Sequence, residues 1–175
     1  DVDFEYGTFQ SVELPNTVTF DGGGKSILGV AHPLFSTLYG TVKELDIENA
    51  KIDSKDSGIK TEWGILAREW DGGIISNVNL INSELKVTIP QTTNDPAYNI
   101  GALIGWVKSG NISNIQLVDN ISVTVDSQDE NSYYILSVGG VIGQFNGTLM
   151  KMSNLTRGSV IQVTNSGQGH STGYS

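Results

Sequence analysis

The chain has 175 residues, 21 of them glycine and none cysteine, a length that suits one β domain and a composition that excludes disulfides and thiolate metal sites. Ten Lys and Arg stand against 19 Asp and Glu, a net charge of −9, which argues against nucleic acid or an anionic membrane surface as partner. No apolar run approaches a membrane span and no signal peptide is visible, so for an exported protein the signal is expected to have been removed or to lie upstream.

Residues 1–32 lack the repeating pattern of the rest of the chain and are expected to cap one end of the fold. Within them, residues 18–27 predict a strand, a tight turn at Gly22-Gly23-Gly24 and a second strand. The run Gly24-Lys25-Ser26 invites comparison with a phosphate-binding loop. That motif needs a Gly five positions before its Gly-Lys pair and a helix after it; here Thr19 stands in the first place and Ile27-Leu28-Gly29-Val30 comes next.

From residue 33 to 163 the sequence repeats itself four times. A two-residue anchor followed by an aliphatic residue fixes the register: Lys43-Glu44-Leu45, Ser76-Asn77-Val78, Ser113-Asn114-Ile115 and Ser153-Asn154-Leu155. Successive aliphatic members are 33, 37 and 40 residues apart. Every unit reads as an aliphatic and small-residue strand, a Gly-containing turn, an alternating strand and then a third strand, as in Leu85-Val87-Ile89 and Ile121-Val123-Val125. Strands with alternating aliphatics have one apolar face and must cover it with their neighbours. Internal repetition of such units predicts a single-stranded parallel β-helix, or β-solenoid, of about four coils with an N-terminal cap. Asn77, Asn114 and Asn154 fall in one column, where Asn suits a left-handed corner and hydrogen-bonds to its own kind; the column is read as structural. Trp70, Trp106 and Phe145 precede the Gly turns and are expected to stack at one corner. Residues 164–175 form a polar, Gly-rich tail or linker, so the chain is expected to be part of a longer one.

The run Phe20-Asp21-Gly22-Gly23-Gly24-Lys25-Ser26-Ile27 is followed by Gly40-Thr41-Val42-Lys43-Glu44-Leu45, and later by Gly101-Ala102-Leu103-Ile104-Gly105 with Gly110-Asn111-Ile112-Ser113-Asn114. This combination resembles the GLUG-type repeat proteins over residues 17–163. The resemblance implies a right-handed bacterial surface β-helix, of the kind found in adhesin-like proteins and in non-catalytic regions of secreted immunoglobulin A peptidases. It implies no catalytic residue, because the repeat motif contains none.

The extra length of the units is concentrated between the third strand and the next unit. These insertions carry Asp53, Asp56, Asp95, Asp126, Asp129 and Glu130, with the aromatics Trp63, Tyr98, Tyr133 and Tyr134 at or beside them. Insertions at one repeat position map to one side of a stacked fold, often its binding side. Aromatic faces and carboxylates suit a glycan or a protein partner, and Trp63, Tyr98, Tyr133 and Tyr134 are expected to form the rim of that face. Clustered oxygens also leave calcium open, although no segment has the alternating Asp and Gly pattern of calcium loops, and solvated loops without a ligand are the plain alternative. The chain is read as a secreted or cell-surface binding module, not an enzyme, with no cofactor and no resident metal. Two other readings stand beside it: a structural spacer of a larger secreted hydrolase, and a polysaccharide-active β-helix enzyme using paired carboxylates such as Glu44, Asp46 and Glu48.

Overall fold

A computed structural model describes residues 2–3, 9–56, 60–90, 97–127, 135–146, 156–158 and 161–165. The fold is all-β. In chain order the strands are β1 (Val2–Asp3), β2 (Val12–Leu14), β3 (Thr19–Leu28), β4 (Phe35–Leu38), β5 (Thr41–Glu48) and β6 (Lys51–Asp53). A 3₁₀ turn at Ser54–Asp56 precedes β7 (Glu62–Trp63), β8 (Ala67–Ile81), β9 (Glu84–Ile89), β10 (Ala97–Gly101) and β11 (Ile104–Val118). Then come β12 (Ile121–Ser127), β13 (Ile135–Gly139), β14 (Ile142–Phe145), β15 (Thr156–Gly158) and β16 (Ile161–Asn165).

Among the described residues these strands make three sheets. The first runs β1-β3-β5-β8-β11-β14, with β15 on β11 and β4 bridging β2 to β8; the second runs β16-β12-β9-β6; the third runs β13-β10-β7. All pairings are parallel. From β8 onward the chain visits first, second and third sheet in turn and returns to lay its next strand beside the previous one. Such parallel sheets are compatible with a β-helix.

Register explains the core. Val42, Ile75 and Ile112 are mutual partners, as are Leu45, Val78 and Ile115, and Ile47, Leu80 and Leu117; all nine are buried. In the second sheet Ile52, Leu85 and Val123 form another such column, also buried. Alternate side chains on a strand point to one face, and equivalent residues therefore stack at a strand spacing of about 4.8 Å.

The corners are made by backbone that most residues avoid. Glu44, Asn77 and Asn114 have φ of 52°, 54° and 53°, and Asn49, Asn82 and Asp119 have 54°, 44° and 61°. Left-handed φ is uncommon outside Gly and is enriched in Asn and Asp. Left-handed Asn, Asp or Glu thus bends the chain at two places in each of these units, once inside the long strands and once as it passes from the first sheet to the second.

The N-terminal region departs from its expected strand, turn and strand. Residues 19–28 form one strand, β3, whose two halves both pair with β5: Asp21 lies opposite Lys43 and Lys25 opposite Leu45. Gly22, Gly23 and Gly24 are thus a bulge facing Glu44 alone. A Cβ on Gly22 would lie 2.3 Å from the Glu44 carbonyl oxygen, and Gly23 and Gly24 have φ of 59° and 67°. Glycine absorbs the extra length without a clash.

Candidate functional site

The insertions share one corner. The chain leaves the second sheet at β6, β9 and β12 and enters the third at β7, β10 and β13. The strand ends on either side of that corner are in register: Asp53 lies opposite Lys86, Thr88 opposite Asp126, Glu62 opposite Asn99 and Ala97 opposite Ile135. Because Ile52, Leu85, Val87, Val123 and Val125 are buried, the intervening positions 53, 86, 88, 124 and 126 face outward. Asp53 and Asp126 are therefore placed on the same face, at strands either side of β9, with Lys86 and Thr88 between them.

Local hydrogen bonds hold the start and the end of the first insertion. The Asp53 carboxylate accepts from the Lys55 amide at 3.0 Å, and the Ser54 hydroxyl accepts from the Thr88 amide at 2.8 Å. At the return, the Trp63 indole N–H donates to the Lys60 carbonyl at 3.0 Å. Asp56 closes the 3₁₀ turn. Asp95, Asp129, Glu130, Tyr133 and Tyr134, expected at the same corner, lie outside the described residues, as does Asn154.

Two of the four aromatics expected on the rim are instead inside. Trp63 and Tyr98 are each 1 % exposed, so neither ring offers a face to a ligand. The cause is strand parity: Trp63 pairs with Ile100, Tyr98 is two residues from Ile100, and Ile100 belongs to the core. Burial also pushes the Tyr98 phenol above its ordinary pKa of 10.0, since an apolar surround disfavours the phenolate.

The expected aromatic corner is also divided. Trp70 pairs with Leu38 on one side and Val107 on the other, and Val107 with Phe145, so Trp70 and Phe145 share a column. Trp106 does not join them, because it pairs with Glu69 and Gln144 on the outer face. There the Lys108 ammonium lies 4.4 Å from the centre of the Trp106 ring and 2.7 Å from the Glu69 carboxylate. That carboxylate accepts a charge-assisted bond which holds Lys108 above the ordinary range of a lysine.

The carboxylates considered for acid and base chemistry are tied to neighbouring strands. The Glu44 carboxylate accepts from the Asn77 amide, which in turn accepts from the Asn114 amide at 2.7 Å. Asp46 accepts from Asn79 at 2.6 Å, and Glu48 accepts from the Ser26 hydroxyl. The structure adds a second ladder that the Ser-Asn anchors do not reveal: the Asn82 amide donates to Asn49 at 2.7 Å. Its signal lies in the spacing, since Asn49, Asn82 and Asp119 each stand five residues after Glu44, Asn77 and Asn114.

Comparison of the chain with protein-family models, with curated proteins and with solved structures found no match.

Proposed function

We propose that the chain is a right-handed parallel β-helix of about four coils with an N-terminal cap, serving as a secreted or cell-surface binding module. The observation that carries this reading is the shared corner: three insertions leave and rejoin the stacked strands between the second and third sheets, with Asp53 and Asp126 on its flank. Repeated insertions at one edge present several loops to one partner, which is how stacked-repeat proteins build binding surfaces. Acidic loops suit a glycan, whose hydroxyls donate to carboxylates, or a basic protein surface. The resemblance to GLUG-type repeats points to a bacterial cell surface for this module.

A structural spacer within a larger secreted protein is the second reading. It is favoured by the commitment of Glu44, Asp46 and Glu48 to bonds between strands. Glycan and host-protein arrays probed with the chain, beside a version whose three insertions are scrambled, separate the two. Capture that is dose-dependent and lost in the scrambled version is expected. Silence on both arrays would transfer the case to the spacer.

A further inference from the structure

The first layer of the stack contains a charged residue where its column is otherwise apolar. Lys25 lies opposite Leu45, which is followed in register by Val78 and Ile115, and those three are at most 2 % exposed. At the same end a cavity of about 430 Å³ opens between β2, β3 and β4, walled by Phe9, Val12, Phe20, Leu34 and Phe35, with Lys25 in its lining. Phe20 and Phe35 meet edge to face, with centroids 5.7 Å apart and planes at 77°, a favourable aromatic geometry that fixes the wall.

The charge balance at this end is uneven. Asp21, the acidic member of the lining, accepts from the Lys43 ammonium at 2.9 Å and from the Gly23 amide at 2.9 Å. Lys43 beside it holds its carboxyl below the usual range. Among the described residues no ion pair engages Lys25, which stands exposed at the edge of the apolar chamber. A volume within about 300–1,000 Å³, an apolar wall and a few polar groups describe a small-molecule site; here the polar members are Asp21, Lys25 and Ser26. A lysine of this kind lays its stem along apolar surface and keeps its head in water.

We propose that this cavity binds a small amphiphile with an unbranched apolar tail and one anionic head, of the class of medium-chain fatty carboxylates, with Lys25 pairing the head. The acidity of the chain makes the sign of that head group diagnostic. A net charge of −9 attracts cationic amphiphiles and repels anionic ones at long range, so a preference for the anion can come only from a local cation.

Titration calorimetry with decanoate, decylammonium and decanol, all kept below micelle formation, tests it. Decanoate is expected to bind saturably at one site and more tightly than decylammonium. Lys25→Gln should weaken decanoate about tenfold, the loss expected for one charge-assisted bond, while decanol binding stays. Val12→Glu, at a residue 49 % exposed in the mouth, should weaken both. Circular dichroism and the thermal midpoint of each variant check that it folds. Absence of saturable uptake, an equal or better affinity for decylammonium, or decanoate binding unchanged in Lys25→Gln would overturn the proposal. So would a dimer in sedimentation equilibrium that Val12→Glu dissociates, because the cavity would then be closed by a second copy.

Discussion

Asn77 shows how much one residue does at a corner. Its φ of 54° is costly for most side chains, by about 1–2 kcal/mol, and its amide joins Glu44 to Asn114. Asn77→Gly keeps the backbone free of strain and loses only the bonds, about 1 kcal/mol; Asn77→Ala loses the bonds and adds the strain, about 2 kcal/mol or more in total. Urea unfolding of the two variants measures the difference, and equal losses would mean that the left-handed corner contributes nothing. This residue was legible in the sequence, because Asn at a fixed offset carries its own conformational reason. Trp63 and Tyr98 were not, because an aromatic beside a loop resembles a ligand platform until parity is counted from a strand neighbour. Counting two back from Ile100 puts Tyr98 inside.

At the scale of the strand, β8 is 15 residues long and stays continuous through its bend at Gly72 and Gly73. Gly73 has φ of 78°, and a Cβ there would lie 2.0 Å from the Gly40 carbonyl oxygen. Since that contact is backbone of the turn between β4 and β5, relief requires moving that turn and β8 apart. Gly73→Ala is expected to cost more than about 2 kcal/mol. Gly24→Ala, with φ of 67° but no atom within 4 Å of the added Cβ, should cost only about 1 kcal/mol. Thermal unfolding of the pair reports the ranking; a reversal would show that crowding is not what selects Gly73. The sequence predicted the existence of the bend and not its parity. Offsets from the Ser-Asn anchors put Trp106 opposite Glu69, whereas mere nearness to a Gly turn grouped it with Trp70, and the register of β11 on β8 follows the anchors.

For the molecule as a whole, stability is expected to fall above about pH 10. The folded state holds Tyr98 and Lys108 with pKa values above 10.0 and 10.5, by burial and by the Glu69 hydrogen bond respectively. A raised folded pKa means that the native state keeps its proton after the unfolded chain has lost it, so the associated stability is complete below about pH 10 and declines above it. Tyr98→Phe should therefore flatten the fall in thermal midpoint between about pH 10 and 11. An unchanged slope would place the alkaline lability elsewhere. The repeat itself was the most legible property of the chain, since offsets of 33 and 37 residues reappear in the register of the first sheet and that of 33 again in the second. The cavity was the least legible: its lining includes Lys25, which a three-glycine bulge brings opposite Leu45, and no local pattern marks that shift.

The parallel ladders also give the molecule a mechanical direction. Bonds between β5, β8 and β11 point along the stacking axis, so tension applied along that axis pulls directly on them, one layer after another, whereas tension along the strands would load a whole ladder in shear. A tether anchored at both ends of the stack would then lengthen in discrete steps, each freeing one unit of 33 to 40 residues, and would yield gradually under drag where a single cooperative fold would snap.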